Sequence, residues 1–320
     1  MIDYASYQIK NFSNNEFEKL VERMGVICPI NSNKLNFDFH NLKINYYPND
    51  NSIRISNSMH KFYNSALGTL KSAQNYNDFM LKDMRAVADI ISIIYFDRPT
   101  TDFMLSRKLE VGINVNALGY KPFDIIDRYL SYQVGSSNNP VVTCEPLGKG
   151  KPVLRKCYLS DYKLKFYDKS KQANLSIKSI LRYEVVFEQL RKIRAVLGEQ
   201  NLTMETLCED KNWYRFGCYL LDAYRNVKKL PLIDGETIIV EDLNKIHAHC
   251  NYHFKADLKR ALRPNTYEKT RVINKNCYSC WDNNPNNIHL AIENKIINKI
   301  NQLANVPVSV LVRNYETALN

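Results

Sequence analysis

Two periodicities divide this chain. Up to about residue 200, apolar residues in several segments alternate with polar ones, the two-residue repeat of a strand with one covered face. Beyond Gly198 they recur every three or four positions, the repeat of a helix packed on one side. An α+β protein is therefore expected, with a sheet-bearing domain over residues 1–200 and a mainly helical domain over residues 201–320. A chain of 320 residues with 45% hydrophobic content can bury the cores of both. No apolar run approaches the roughly 18–20 residues needed to cross a bilayer, and the opening MIDYASYQIK lacks a signal peptide's apolar stretch, so no membrane partner and a cytoplasmic location are expected. Eight cysteines spread over this length do not form the disulfide framework of a small secreted domain, and reduced thiols are expected.

The segments LNFDF, NLKINYY and SIRIS, separated by Asn, Pro and Asp turn clusters, predict short antiparallel strands in the first sixty residues. Asn77 or Asp78 offers an N-cap to an amphipathic helix carrying Met80, Met84, Val87, Ile91 and Ile94 and running to about Phe96. In KLEVGINV, Leu109, Val111, Ile113 and Val115 share one strand face and Lys108, Glu110, Gly112 and Asn114 the other. A helix over 121–133 and the connection GSSNNPVV precede two basic runs, VLRKCYL and YKLKFYDK, which predict a hairpin around Ser160 and Asp161. In its second arm Tyr162, Leu164 and Phe166 oppose Lys163, Lys165 and Tyr167. In ILRYEVVF, over 180–187, Leu181, Tyr183, Val185 and Phe187 form the apolar side, with Arg182 and Glu184 opposite, and the basic helix FEQLRKIRAVL follows. Further helices are expected within 202–227, 240–262 and 287–304.

Glu110, Tyr167, Lys169 and Glu184 all lie on the faces opposite the apolar ones. If their strands are neighbours, two carboxylates, a phenol and an ammonium converge. Such a set suits phosphoryl chemistry: carboxylates hold Mg²⁺ or Mn²⁺, the metal polarises a phosphodiester, and the phenolate attacks phosphorus. The ammonium helps the tyrosine ionise or stabilises charge on the phosphorane or leaving oxygen. The alternative is a half-exposed antiparallel sheet whose polar side simply meets water.

The formal charge of +11 suits a polyanionic partner, with nucleic acid first. Lys163, Lys165 and Arg182 on the strands, and Arg191, Lys192 and Arg194 on the basic helix, are the candidate phosphate contacts; water-facing charge is the competing reading for the helix. The 21 tyrosines and 13 phenylalanines can stack on bases or pack a core. In the helical third, His247, His249, Cys250 and His253 followed by Cys277 and Cys280 include a CYSC pair at zinc-ligand spacing. The two halves are far apart in sequence, and buried thiols with helix-face histidines are preferred to zinc.

Several blocks resemble, in order, the gene-II-like replication initiation proteins of filamentous phages and related plasmids. They are the opening MID; SIRISNSMHKFYN followed by QNYNDF; SRKLEVGINVNA; YKLKFYDKSKQ; and ILRYEVVFEQLRKI followed by NLTMETL. They cover about the first 205 residues, and the resemblance does not extend convincingly into the C-terminal third. It implies an antiparallel-sheet endonuclease-type domain, of the histidine-hydrophobe-histidine kind or a divergent relative, and a rolling-circle replication initiator. Tyr167 would be the nucleophile that nicks origin DNA and keeps the 5′ phosphate, with Lys169 two positions on. Glu110 and Glu184 would be ligands of Mg²⁺ or Mn²⁺. Single-stranded or melted origin DNA would be the partner, along with host helicase and polymerase; separately from the resemblance, the charges Lys255, Lys259 and Arg260 of the C-terminal helices suit contact with the origin duplex.

The chain departs from the family at Gln74, where relatives often have His before Asn; a glutamine carbonyl can still serve a hard cation. His60 is the alternative donor, although a histidine beside Lys61 is read first as a surface or DNA-contacting residue. Glu stands for Asp at 110, and Gln172 stands where relatives have Glu. A non-catalytic DNA-binding or repressor protein and an RNA-binding protein are the rival readings.

Overall fold

The computed structural model describes residues 1–27, 35–68, 74–144, 153–175, 179–233 and 238–304. Strand β1 (Ile2–Lys10) opens the chain and is followed by a helix, α1 (Asn14–Met24), where alternation predicts only strands. The signals for α1 are local. The Ser13 hydroxyl accepts the amide of Glu16, the Glu16 carboxylate accepts the amide of Ser13 at 2.8 Å, and Gly25 closes the helix at φ 62°. Phe17, Leu20 and Met24 bury its inner face. The predicted strands follow as β2 (Leu35–Phe39), β3 (Leu42–Tyr47) and β4 (Ser52–Ser58), then a helical turn α2 (Met59–Phe62). Helix α3 (Leu81–Asp89) begins later than an Asn77 or Asp78 cap would place it, because the Asp83 carboxylate accepts the amide of Met80 at 2.8 Å and so sets the first turn. From Ile90 to Phe96 it widens into π-helix, which leaves Ile94 exposed. Strands β5 (Met104–Leu105) and β6 (Leu109–Asn116) come next.

The helix predicted over 121–133 is only α4 (Pro122–Ile126), since Tyr129–Val134 forms β7, turns at Gly135 with φ 56°, and pairs with β8 (Ser137–Pro140). Much of GSSNNPVV is thus strand rather than connection. After β9 (Val142–Cys144), the predicted hairpin is present as β10 (Leu154–Tyr158) and β11 (Tyr162–Asp168), in register from Tyr158↔Lys163 to Leu154↔Tyr167. A single turn α5 (Lys169–Gln172) leads to β12 (Ile180–Phe187) and the basic helix α6 (Leu190–Leu197). The region 202–227 divides into α7 (Met204–Leu207), α8 (Asp210–Arg225) and a short strand β13 (Val227–Lys229). The region 240–262 divides into α9 (Val240–Cys250) and α10 (Tyr252–Ala261), where Asn251 accepts the amides of His253 and Phe254 and starts a new helix. An unpredicted α11 (Pro264–Asp282) precedes α12 (Ile288–Ala304). The architecture is α+β, with extensive antiparallel sheet and helices toward the C-terminus. Among the described residues no helix is long and apolar enough to cross a membrane.

The chain forms two compact units, each assembled from separate stretches. The first comprises Met1–Gly112, Glu184–Tyr219 and residues from Ile300 onward. Its strands run β2–β3–β4–β1–β6–β12, with β5 added against β1. Tyr7, Ile9, Ile44, Ile53, Ile55, Phe103 and Trp213 are fully buried there, and Phe17 stacks on Tyr46 at 4.4 Å. The second comprises Ile113–Tyr183 and Leu220–Lys299. Here the later part of β6 and the earlier part of β12 continue into the order β11–β10–β9, and β13–β7–β8 form a separate three-stranded sheet. Its core is aromatic: Phe166 stacks on Tyr183 at 5.0 Å, and Tyr129 packs edge-on against both Phe166 and Tyr224. Strand β12 does not keep a solvent face. Every residue from Leu181 to Phe187 is buried, including Arg182 and Glu184, so its polar side faces protein as fully as its apolar side.

Candidate functional site

In the second unit, β11 ends on the residues with chemistry. Alternation along the strand puts Leu164 and Phe166 into the aromatic core and brings the hydroxyl of Tyr162 to 3.3 Å from that of Tyr132. Tyr167 has the opposite parity along the strand, shared with the half-buried Lys163 and Lys165. The strand stops where the Asp168 carboxylate accepts the amide of Lys171 at 2.9 Å and caps α5. That turn carries Lys169 back toward the tyrosine, with the ammonium 5.9 Å from the Tyr167 ring centroid. Lys169 is buried, and its ammonium donates to the Gln172 side-chain carbonyl at 2.7 Å. Gln172 thus meets the lysine as a neutral acceptor. Tyr167 is itself only 5% exposed. The guanidinium of Arg182, also buried, donates to Asn114 Oδ1 at 3.1 Å.

In the first unit, Glu110 lies on β6 opposite Tyr4 of β1, and Glu184 lies on β12, the next strand in the order. Glu110 is ion-paired with Lys108, whose ammonium also sits 4.9 Å over the Tyr4 ring. Glu184 is 2% exposed. Among the described residues no group of three or more His, Cys, Asp or Glu side chains is arranged to hold a metal ion. Gln74 is exposed, and the oxygen held in place is its main-chain carbonyl, which accepts from the Asn64 amide at 2.7 Å.

His60 is not a surface residue. It is buried, stacks on Phe79 at 4.9 Å, and its Nε2 donates to Asn77 Oδ1 at 2.8 Å. Asn77 and Asn64 exchange side-chain hydrogen bonds, so one polar network ties α2 to the segment before α3. A second network joins the chain start to the same segment. The Asp3 carboxylate accepts from the Ser58 hydroxyl and, at 2.7 Å, from Asn75, while the Met1 ammonium donates to the Phe79 carbonyl at 2.9 Å. Periodicity does not single out Asp3, Asn64, Asn75 or Asn77. Their only sequence signal is that they fall within MID and within SIRISNSMHKFYN followed by QNYNDF, two blocks of one resemblance.

On α6 the arginines 191 and 194 are exposed; Arg194 donates to the Gln200 carbonyl at 3.0 Å, and the Lys192 ammonium lies 5.0 Å over the Tyr219 ring. The histidines and thiols of the helical third have separate surroundings. His249 stacks on Tyr278, Cys250 is buried with its thiol pushed up by burial, Cys277 donates to the Asp242 carbonyl, and His253 and Cys280 are exposed.

No family model and no curated protein matches this sequence. Among solved structures the chain is similar to the rolling circle replication initiator protein from Geobacillus stearothermophilus, at 14% identity over 71% of this chain and 84% of that one, with a TM-score of 0.40.

Proposed function

We propose that this protein is a rolling-circle replication initiator that nicks and rejoins one strand of origin DNA with Tyr167 as nucleophile. The observation that carries the reading is the end of β11, where a tyrosine of the parity opposite to the aromatic core is followed by a one-turn helix that returns a buried ammonium to 5.9 Å from its ring. It supports the reading because the residues are those of the Tyr-Asp-Lys block, which stands in order with four other blocks resembling the family.

In the proposed step the Tyr167 oxygen attacks phosphorus and the bond from phosphorus to the 3′ oxygen breaks. The phenolic proton is lost, and the departing oxygen leaves protonated as a free 3′-OH that primes synthesis. The 5′ phosphate stays on the tyrosine, so the energy of the phosphodiester is retained and an incoming 3′-OH can reverse the step without a nucleotide. Lys169 supplies positive charge near the reacting oxygen, and Gln172, a neutral acceptor, orients that ammonium without cancelling its charge. Mg²⁺ is commonly held by one or two carboxylates together with substrate phosphates; Glu110 and Glu184, with Gln74, would be its donors in the first unit, and the ion would supply Lewis-acid polarisation of a phosphate there. Exposed Arg191 and Arg194 and half-buried Lys163, Lys165 and Lys192 suit backbone contacts, whereas buried Arg182 suits positioning.

One observation favours a non-catalytic DNA-binding protein instead: DNA must reach a hydroxyl on a residue only 5% exposed. The two readings separate in one experiment. The protein is mixed with single-stranded DNA of its own replicon and Mn²⁺, denatured, and examined for DNA that stays attached. An adduct on the peptide 163–171, lost in Tyr167→Phe and in EDTA, is the expected result. Origin binding that persists in EDTA with no adduct would assign the chain to the binding class, and preference for RNA of the same sequence would point to the RNA-binding rival.

A further inference from the structure

The register of the second unit's sheet fixes which side chains share a face with Tyr167. In the β10–β11 hairpin Leu154 stands opposite Tyr167, Lys156 opposite Lys165 and Tyr158 opposite Lys163. Strand β9 extends the rows, with Cys144 opposite Leu154 and Val142 opposite Lys156. Residues that oppose each other across a ladder, and those two apart along a strand, point to one side of a sheet. The alternate residues Arg155, Cys157, Leu164 and Phe166 are buried on the other side, where Phe166 joins the aromatic core. One side of β9, β10 and β11 therefore carries three half-buried lysines and two tyrosines, with no carboxylate among them.

That side is open at one end and closed at the other. Tyr158 is 54% exposed and Val142 39%, against 5% for Tyr167. The Tyr158 hydroxyl lies 4.0 Å from the Cys144 thiol. Cys144 pairs with Leu154, which lies about 13 Å back along β10 from Tyr158 at ~3.3 Å per residue, so the ring has to lie along the strands and lean toward the Leu154–Tyr167 end. A ring laid down in this way keeps one flat face toward solvent, with lysines on the neighbouring ladder positions.

We propose that this side of the sheet is a track for single-stranded DNA, with one unpaired base stacked on Tyr158 and the backbone running past Lys156, Lys163 and Lys165 toward Tyr167. Stacking on a tyrosine accepts any base but needs one whose face is free, and interleaved cations match the phosphates between bases. A duplex keeps its base faces covered, and an acidic peptide has none to offer. That the track ends on a scissile phosphate rests on the nucleophile reading of Tyr167; the stacking contact does not.

The full chain is tested with a single-stranded oligonucleotide of its own replicon, the same sequence as duplex, and single-stranded copies that each carry one abasic site. Tyr158→Leu removes the ring at an exposed position and Tyr158→Phe keeps it, and equal Tm values establish that both fold. Single-strand affinity is expected to fall about tenfold in Tyr158→Leu and to hold in Tyr158→Phe, while the duplex is bound alike by all three proteins. One abasic position should weaken binding by wild type and leave Tyr158→Leu unaffected, which identifies the stacked base. Single-strand affinity of Tyr158→Leu within about twofold of wild type, an equal loss on duplex, or no abasic position whose effect depends on the ring would each overturn the track. Adduct formation is read on the same samples. If wild type forms none while the Tyr158 effects hold, the nucleophile reading fails and the stacking site stands; an adduct formed with unaltered Tyr158→Leu affinity removes the track and leaves that reading intact.

Discussion

His289 in the second unit is held neutral by its surroundings. Its Nε2 donates to the Leu230 carbonyl at 3.0 Å, while Nδ1 is buried with no partner among the described residues, so a second proton would place an unsolvated cation in the core. Burial and the nearby Lys229 push its pKa down to about 3. An unfolded histidine titrates near 6.5, so between about 3 and 6.5 the unfolded chain binds a proton that the folded chain refuses. Stability therefore rises with pH through that window and is lost as pH falls below about 6.5, by roughly 1 kcal/mol per pH unit from this residue. Urea unfolding between pH 6.5 and 4.5 is expected to show a shallower decline for His289→Gln, whose amide retains the donor to Leu230; equal slopes would mean that His289 is already protonated in the fold. Single residues differ in how far sequence reveals them. The parity that separates Tyr167 from Tyr162 is visible in seven letters of strand. The burial of His60, beside Lys61, is not, because it depends on Phe79 and Asn77 arriving from another segment.

Elements were legible where apolar spacing is strong or a turn is short. The β10–β11 hairpin is of this kind, closed by the Leu159 amide on the Tyr162 carbonyl at 3.0 Å. Helix α11 was not, because only Asn274 and Tyr278 of its nineteen residues are buried and so it carries no continuous apolar stripe. Helix α1 is marked at both ends by the Ser13–Glu16 spacing and Gly25, local signals that apolar alternation does not carry. Helix packing brings a prediction at this scale. Gly217 of α8 meets Ile300 of α12 so closely that an added Cβ would stand 2.3 Å from the Ile300 Cγ2. In an uncrowded helix Gly→Ala gains about 0.5–1 kcal/mol, whereas overpacking costs about 1–3 kcal/mol. Gly217→Ala is thus expected to lower stability, and to do so less in an Ile300→Ala background, in a double-mutant cycle by chemical denaturation. Additive effects would show that the two helices part without strain.

For the molecule as a whole, a net charge of +11 carries a testable consequence of its own. If the partner is nucleic acid, affinity for single-stranded DNA should fall linearly on a log–log plot against salt, with a slope near −4 for a footprint of about six phosphates. A slope near zero in filter-binding or fluorescence titrations would remove nucleic acid as the electrostatic partner. Periodicity and turn chemistry, both local, determined the α+β class, the run of strands before helices, the β10–β11 hairpin and the face on which Tyr167 stands. Tertiary structure alone decided which distant segments share a unit: Asp3 with Ser58 and Asn75, or Arg155 with Asp127, Thr143 and the Tyr129 carbonyl. The physical reason is that alternation records only whether a side chain is covered. What covers it is set by the closure of long loops and by hydrogen bonds that buried polar groups must find across them.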